Sequence, residues 1–463
     1  MTRAVVLGGG FAGVLMAKVL SGHVDDVTLV EGGRYPAGPG VRSGLPQAFH
    51  SHVLVTAGAQ ALDTVLPGTL EDLLAEGAHR RGLPGDALIL TSGGWFRRHD
   101  TGAFLVSCSR WLTDHVIRRR ALADGAVAVR ERTRALRLVG DASRVTAVVV
   151  GREDGSSETL RADVVVDATG RRSRAGEWLA AIAGSGVEEE TVDPGLAYST
   201  RIYRAPEDLA ADLPAIMVHP RPAAGRPGYG ATLFPIEGGR WIVTLTGTRA
   251  AAPPTDQRGF TDCAHGLGSP IVAELMAAAE PLGGVRPFRA TANRRRFFER
   301  GPRPDGFLAV GDALTAMNPV YSHGMSIALL SAVRLDRELT RHGADPSVFP
   351  GLQAAMAEVA ERAWRMATDQ DRPRVGSAPG HRAGAGMSRA VLGDPALMTE
   401  LFRAQTLVPS PRSANPPHPR GPFADPTPPR DTDEAVAQYP GLSQWWHSGR
   451  PRQPATRGVS RDG

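Results

Sequence analysis

The first 31 residues constrain the fold of this chain more than any other stretch. A short apolar run, Ala4-Val5-Val6-Leu7, is followed at once by Gly8, Gly10 and Gly13 in the spacing Gly-x-Gly-x-x-Gly. Apolar residues at helical spacing come next, and a second apolar run ends at Glu31. Strand, glycine turn, helix, strand and acid in this order predict a βαβ unit that binds a dinucleotide.

Each of these residues has a physical reason in such a unit. Gly8 permits the tight turn, Gly10 lets the backbone approach a pyrophosphate, and Gly13 allows the helix to pack closely on the strand. The helix directs its N–H groups at the phosphates, and Glu31 is placed to accept a hydrogen bond from a ribose hydroxyl. A secretory signal is the alternative. It is disfavoured because glycines interrupt the apolar run and no convincing cleavage site precedes Lys18.

Composition limits the other classes of function. The chain has 463 residues with 53 basic and 48 acidic side chains, a formal charge of +5. No basic run with interleaved aromatic residues indicates a nucleic-acid partner, and no apolar segment is long enough to span a bilayer. The two cysteines, Cys108 and Cys263, indicate neither a disulfide framework nor a CxxC metal site. We therefore expect a cytoplasmic protein without a metal ion.

The order of patterns predicts an α/β protein with an inserted sheet and a C-terminal helical region. Alternating segments separated by Pro- and Gly-rich turns indicate an antiparallel β-sheet that forms a substrate domain. The predicted segments are residues 1–184 as the first part of a Rossmann-like domain, with a helical excursion at about 56–84, 185–292 as the substrate domain, 293–340 as the last part of the Rossmann-like domain, 341–408 as C-terminal helices and 409–463 as a disordered Pro-rich tail.

Two histidines follow the loop after Glu31. His50 and His52 are candidate metal ligands, but no acidic residue near them has metal-site spacing. Hydrogen bonding within the loop is therefore the favoured interpretation.

Three separated motifs, at residues 8–31, 167–173 and 306–325, resemble those of flavoprotein monooxygenases of the para-hydroxybenzoate hydroxylase type. Within that group the chain is most similar to epoxidases of polyketide or isoprenoid alkenes. The resemblance covers about residues 3–372 and is weak in the substrate domain. The narrower resemblance rests on Gly44-Leu45-Pro46-Gln47 with His50 and His52, on residues 165–174 with Trp178-Leu179, and on Asn318-Pro319-Val320-Tyr321 with Gly324-Met325.

The resemblance implies that the dinucleotide is FAD and assigns its contacts residue by residue. The matching positions are Gly8, Gly10, Gly13 and Glu31 for the ADP half, Arg42 and Arg110 for cofactor contacts, Asp312 for the ribityl–pyrophosphate region, and Pro319, Gly324 and Met325 around the flavin ring. The helix that begins at Met325 would stabilise negative charge on the reduced flavin. Two alternatives stay open: Asp312 as a cap of the next segment, and Arg110 as a surface helix residue.

The chain departs from the family pattern at two places. The middle motif is usually Asp-Gly-x-x-Ser, but here Thr169 precedes Gly170 and the aspartate is Asp167. This departure puts in doubt the family's role for that motif in nicotinamide handling. In the flavin loop, Ser322-His323-Gly324 stands where the epoxidase-like proteins usually have Gly-Gln-Gly. His323 is therefore the candidate catalytic residue, and the alternative is a neutral loop histidine that makes one hydrogen bond.

The resemblance implies an FAD-dependent monooxygenase that takes electrons from NAD(P)H or from a separate flavin or electron-transfer reductase. A flavin C4a-hydroperoxide would pass one oxygen atom of O2 to an apolar, natural-product-like substrate. Alkene epoxidation is favoured because neither His219 nor His265, in the substrate segments, is paired with a carboxylate as a base. The alternatives are aromatic or indole hydroxylation, reduction of isoprenoid double bonds, and a non-redox flavin-containing cyclase. Halogenation is disfavoured because the chain lacks a Trp-x-Trp-x-Ile-Pro segment.

Overall fold

The computed structural model describes residues 1–42, 44–184, 186–209, 213–221, 228–301, 303–372, 390–409 and 428–448. Its strands are β1 Arg3–Leu7, β2 Asp26–Val30, β3 Val53–Val55, β4 His79–Pro84, β5 Ala87–Thr91, β6 Gly94–Trp95, β7 Asp100–Ser107, β8 Val127–Arg130, β9 Thr133–Gly140, β10 Val145–Arg152, β11 Ser157–Arg161, β12 Val164–Asp167, β13 Glu189–Val192, β14 Leu196–Arg204, β15 Ala215–Val218, β16 Gly230–Ile236, β17 Arg240–Thr248, β18 Glu280–Phe288, β19 Asn293–Arg296, β20 Phe307–Ala309 and β21 Thr315–Ala316.

The helices lie between these strands and form the last described elements. They are α1 Phe11–Leu20, α2 Thr56–Val65, α3 Thr69–Ala75, α4 Arg110–Ala121, α5 Ala175–Ala183, α6 Gln257–His265, α7 Ile271–Ala278, α8 Gly324–His342, α9 Phe349–Asp371, α10 Pro395–Gln405, α11 Thr432–Ala437 and α12 Pro440–Ser448. In the part of the chain that the structure describes, no helix combines the length and the apolar character needed to cross a membrane.

A five-stranded parallel sheet forms the centre of the first domain. Its order is β20-β12-β1-β2-β8, and Val5 pairs with Val165 on one side and with Thr28 on the other. Both neighbours of β1 are parallel to it, so its apolar residues are covered on two faces, as in doubly wound α/β proteins. The predicted α/β class with a Rossmann-like domain is confirmed.

The substrate sheet has seven strands in the order β18-β14-β17-β16-β15-β5-β6. Its pairs are antiparallel except β15 with β5, which is parallel. Strands β5 and β6 precede residue 100, so the sheet draws on more of the chain than the predicted segment 185–292. The run Leu88–Leu90 indicates a short buried strand, but its local pattern cannot say which sheet the strand joins.

Two more predictions need correction. The helical excursion at about 56–84 is helical only in α2 and α3, because β4 begins at His79 and pairs with β7. The tail prediction is wrong for residues 428–448, which form α11 and α12; residues 410–427 and 449–463 lie outside the described part. Trp445 and Trp446 are buried against the substrate sheet in a cluster with Trp241. The average composition of the whole tail does not indicate these short helices, because their apolar residues are buried only against the substrate sheet, which is distant in sequence.

The two faces of the substrate sheet have different coverings. One face packs with α6, α7, α11 and α12 around Trp241 and Phe260. The other face turns Phe234 and Ile242 towards the first domain, where they join Met317, Ile327 and residues of α9 and α10. The second face is the one that meets the predicted cofactor motifs.

Candidate flavin site

The glycine turn after β1 packs as tightly as its spacing predicts. Gly8 has φ +93 and donates its N–H to the carbonyl of Val30 at 2.8 Å. A Cβ on Gly13 would lie 1.8 Å from the Gly8 carbonyl oxygen. Any larger side chain at Gly13 would therefore push α1 away from the turn, so both positions need glycine for the fold itself.

Gly10 differs from its neighbours because space lies beside it. A Cβ there would have only the Arg42 guanidinium within reach, at 3.9 Å. Gly10 also caps α1 with an ordinary φ of −75, so its backbone is unstrained. It lines a small pocket with Phe11, Tyr35 and Arg42 at the positive end of the helix, a place that suits a phosphate group.

Glu31 ends β2 beside this pocket and is held by backbone donors. Its carboxylate accepts from Gly9 N–H at 2.9 Å and from Gly33 N–H at 2.7 Å. Each carboxylate oxygen can accept two hydrogen bonds, so the group keeps capacity for a ribose hydroxyl. Arg42 Nη1 donates to the Gly9 carbonyl at 2.8 Å and lies 3.5 Å from Glu31, while its buried Nε has no partner among the described residues.

Tyr35 is a component of this nucleotide end that the sequence did not single out. Its hydroxyl donates to the Gly9 carbonyl at 2.8 Å, and its ring lies under the guanidinium groups of Arg42 and Arg118. Only an aromatic residue inside a Gly- and Pro-rich loop marked this position, which is a weak signal. We refer to residues 8–13 with Glu31, Tyr35 and Arg42 as the nucleotide end.

Asp312 follows β20 and lies among three arginines. Burial raises the pKa of its carboxyl group, whereas the nearby Arg171, Arg110 and Arg296 guanidinium groups lower it. Its side chain caps no helix, and no described residue donates a hydrogen bond to it, so its acceptor sites remain open. The capping alternative for Asp312 thus has no structural support.

Arg110 begins α4 on the inner side of that helix. It is buried, donates from Nε to Asp114 at 2.8 Å, and lies 5.2 Å from the ring of Phe11. The surface-residue alternative for Arg110 is therefore wrong, because the side chain is only 7% exposed. Its contact with FAD stays a prediction.

The flavin loop, residues 318–324, is fixed by a buried carboxylate. Asp371, the last residue of α9, accepts from Asn318 Nδ2 at 3.0 Å, Asn293 Nδ2 at 2.7 Å and the Tyr321 hydroxyl at 2.7 Å. Asn318 also caps the turn at Val320, and its Oδ1 accepts from the Tyr198 hydroxyl at 3.4 Å. We call the flavin loop with Tyr198, His50 and Asp371 the ring end. No pattern in the sequence pointed to Asp371.

The loop leads directly into α8. Pro319 is partly exposed, Gly324 is the first residue of the helix, and Met325 is buried in the core of the first domain. A Cβ on Gly324 would lie 3.8 Å from Asp312 Oδ1, so the loop and the carboxylate face the same space. The three residues occupy one end of one helix, as the resemblance implies for a ring site, and their contact with FAD stays a prediction.

His323 points away from this space towards α10. Its Nε2 lies 2.9 Å from the Gln405 carbonyl oxygen, and burial lowers the pKa of its imidazole. Its Nδ1 is buried without a partner in the described residues. These contacts favour the alternative of a neutral histidine with one hydrogen bond, and a catalytic role for His323 stays a prediction.

Asp167 in the middle motif serves its own loop. Its carboxylate accepts from Thr169 N–H at 2.9 Å and Thr169 Oγ1 at 2.6 Å, and from the Ser173 hydroxyl. Arg171 then reaches across to the carbonyls of Met317 and Ala292. The motif thus holds the start of the flavin loop against the parallel sheet.

His50 and His52 lie between the two domains. His52 Nδ1 bonds the His50 carbonyl at 2.8 Å, as a loop interaction would, but His50 Nδ1 lies 2.8 Å from Thr200 Oγ1 in the substrate sheet. Loop bonding alone therefore does not describe His50. No group of three potential metal ligands is found within the described ranges.

Comparison with known proteins agrees with this geometry. A family described as "FAD binding domain" matches residues 1–370. Protein Rv3254 of Mycobacterium tuberculosis strain H37Rv is 30% identical over 350 residues, which are 73% of this chain and 73% of that protein.

The fold is similar to two solved flavoprotein structures. Flavin-dependent brominase Bmp2 has a TM-score of 0.66 at 17% identity, covering 88% of this chain and 94% of that one. The p-nitrophenol 4-monooxygenase PnpA from Pseudomonas putida DLL-E4 has a TM-score of 0.65 at 19% identity, covering 88% of this chain and 99% of that one. At these identities the likeness concerns the fold.

The residues present fit FAD. The space beside Gly10 offers room for a pyrophosphate. Arg42 Nε, which no described residue bonds, offers a donor for it, and the Asp312 carboxylate, to which no described residue donates, offers an acceptor for hydroxyl groups. With a family match that spans residues 1–370, this chain belongs to the family of proteins that carry the FAD binding domain.

Proposed function

We propose that this protein is an FAD-dependent monooxygenase that transfers one oxygen atom from O2 to an apolar, natural-product-like small molecule, with NAD(P)H as electron donor. One observation carries the proposal: Tyr198 of the substrate sheet donates to Asn318 of the flavin loop at 3.4 Å. The loop that would line the flavin ring therefore meets the inner face of a large antiparallel sheet. An apolar substrate between the two would lie beside the ring.

The chain's own residues would position the reactants and exclude water. FAD, when bound and reduced, supplies the activation of O2. The first amides of α8, at Gly324 and Met325, would stabilise negative charge on the ring. Phe234 and Ile242 of the sheet pack with Met317 beside the loop, and this apolar wall would keep water from the reacting atoms.

Alkene epoxidation is the proposed reaction. Electrophilic transfer of oxygen to a carbon–carbon double bond needs no general base, since no proton leaves the attacking carbon. The buried carboxylate of Asp371, which holds the flavin loop, already accepts three hydrogen bonds. The resemblance of residues 318–321 to epoxidases supports the same reaction.

Aromatic or indole hydroxylation is the second candidate, and His50 favours it. Burial lowers the pKa of His50 to about 4, so its imidazole is neutral at physiological pH. A neutral imidazole beside the substrate sheet could accept a hydrogen bond from a phenolic hydroxyl, which would orient the ring towards an electrophilic oxygen.

The test supplies the purified, FAD-loaded protein with reduced nicotinamide and isotopically heavy O2. Isoprenoid and polyketide alkenes are presented beside phenols and indoles, and products are analysed by mass spectrometry. We expect one heavy oxygen atom in an epoxide or in its ring-opened product. Tightly coupled labelling of an aromatic ring without alkene turnover would establish the second candidate instead.

An oxygen-free arm addresses the remaining alternatives. Substrate conversion without O2 would contradict oxygen transfer and favour a double-bond reductase or a non-redox cyclase. Reduction of the bound flavin by NADH or NADPH in the same arm would show that no separate reductase is needed. Flavin that stays oxidised with both nucleotides would indicate that a separate flavin or electron-transfer reductase supplies the electrons.

A further inference from the structure

One buried histidine on the substrate side has a ring nitrogen that no described residue bonds. His50 is 5% exposed, and its Nδ1 lies 2.8 Å from Thr200 Oγ1. No described residue bonds its Nε2, and this atom is not fully enclosed by the protein, so it retains accessible surface. In His323, by contrast, the unpartnered nitrogen is fully enclosed.

Aromatic rings hold His50 next to the ring end. Its ring centroid lies 5.0 Å from that of Phe288 and 6.1 Å from that of Tyr198, and these two rings stack at 5.6 Å. The hydroxyl of Tyr198 contacts Asn318 in the flavin loop. Tyr198 therefore links the His50 ring to the loop that would line the flavin.

A chain of hydroxyl groups lies behind the imidazole. Thr200 Oγ1 is 2.8 Å from His50 Nδ1 and 2.8 Å from Thr244 Oγ1, which is in turn 2.8 Å from Ser51 Oγ. Each hydroxyl can rotate to donate in either direction. Nδ1 can therefore be the acceptor or the donor, and Nε2 takes the opposite role. The outward nitrogen can donate to a carbonyl or exchange hydrogen bonds with a hydroxyl.

We propose that His50 is a specificity-determining residue whose Nε2 hydrogen-bonds an oxygen atom of the substrate, so that the substrate is an unsaturated molecule with a hydroxyl or carbonyl group rather than a pure hydrocarbon. This inference rests on the proposed function, because it assumes that the substrate lies between the sheet and the flavin loop. A site built to bond an oxygen rejects the analogue that lacks it, since a buried polar atom then stays unpaired.

The test measures binding without turnover. The FAD-loaded, oxidised protein is titrated with matched pairs, farnesol with its deoxygenated triene and naphthol with naphthalene, and the visible absorbance of bound FAD reports binding. We expect the wild type to bind the oxygenated member about tenfold more tightly or better. Because no reductant is present, failure of oxygen transfer would leave this result unchanged.

Three variants separate recognition from packing. His50→Gln places an amide near the Nε2 position, His50→Asn keeps only the Nδ1 position that faces Thr200, and His50→Phe keeps the ring alone. We expect the Gln variant to retain the preference for the oxygenated member, and the Asn and Phe variants to reduce it to within about twofold. FAD content and melting temperature are recorded for each variant.

The proposal is overturned if the wild type binds both members of a pair equally or prefers the hydrocarbon. It is also overturned if His50→Phe keeps the preference, or if His50→Asn keeps it while His50→Gln loses it. The last result would mean that His50 acts only through Thr200.

Discussion

The hydrogen bonds of Gly9 at the nucleotide end join it to residues that are near in sequence, whereas those that tie the ring end to the substrate sheet join distant residues. Gly9 contacts Glu31, Tyr35 and Arg42, all within 33 positions. At the ring end, His50 contacts Thr200, 150 positions away, and Tyr198 contacts Asn318, 120 positions away. The first set follows from one βαβ unit and the loop after it, and the second exists only after two domains have packed together.

The two ends also differ in whether backbone groups or side chains make their contacts. At the nucleotide end, backbone groups make most of the contacts, so glycine positions and one acid define it. At the ring end, side chains on separate elements define the position of the flavin loop. A substitution at the first end should therefore weaken FAD binding, whereas one at the second end should loosen the flavin loop while FAD stays bound.

The largest effect is expected from a pair of glycine variants that divides the nucleotide end itself. Gly13→Val would place Cβ 1.8 Å from the Gly8 carbonyl oxygen, an overpacking that should cost about 3 kcal/mol or more and leave little folded protein. Gly10→Val has open space, so the apoprotein should unfold within about 1 kcal/mol of the wild type while the FAD dissociation constant rises about 100-fold or more. Thermal melts and flavin fluorescence measure both. Equal loss of folding in the two variants would show that Gly10 is structural.

Helices α11 and α12 belong to neither end, because they pack on the other face of the substrate sheet. Trp446→Ala should lower the free energy of unfolding by about 3–5 kcal/mol, because it empties a buried site and removes a donor to Asp433 at 2.6 Å. The exposed neighbour gives the control, His447→Ala, with an expected change within about 0.5 kcal/mol. Denaturant titration reports both values, and FAD affinity should stay unchanged in the folded protein. A weakened flavin would show that the tail acts through the sheet on the ring end.

Asp371 tests the ring end alone. Asp371→Asn removes the charge that three donors share and should cost about 2–3 kcal/mol of stability. Since the nucleotide contacts are untouched, FAD should remain bound, with altered visible absorbance as the flavin loop loosens. Asp369→Asn is the matched control because that carboxylate is largely exposed on the same helix. Loss of FAD from Asp371→Asn would mean that the ring end also carries the cofactor's affinity.

The sequence predicted the local part of this site well and the assembled part poorly. Spacing of Gly8, Gly10 and Gly13 defined the turn, and the apolar runs defined the parallel strands, because both depend on neighbours in the chain. Asp371 and the docking of Trp446 depend on contacts with distant elements. A single helix-terminal aspartate or a tryptophan pair in a Pro-rich segment carries no sign of those partners. Family resemblance predicts a flavin contact for Pro319, Gly324 and Met325, which stays a prediction, and it did not indicate the carboxylate that holds their loop.

The smallest effect concerns the pH dependence that His50 gives to stability. Burial lowers the pKa of this imidazole from 6.5 to about 4 in the folded protein. Between these pH values the unfolded chain binds a proton at His50 that the folded chain does not. The free energy of unfolding therefore falls as the pH drops below 6.5, and this loss is complete below pH 4. At pH 5 the expected loss from His50 is about 2 kcal/mol.

Other groups titrate in the same range, and burial lowers the pKa of His52 in the same direction. The measurement is therefore the difference in unfolding free energy between wild type and His50→Gln, taken at several pH values from 8 to about 5. Glutamine does not titrate, so the wild type should lose its advantage over the variant as the pH falls, whatever their offset at pH 8. Parallel curves would show that the folded imidazole titrates normally, as it would if the two domains left His50 open to water. In that case the ring end, which long-range contacts assemble, would admit more water than the nucleotide end, which local contacts build.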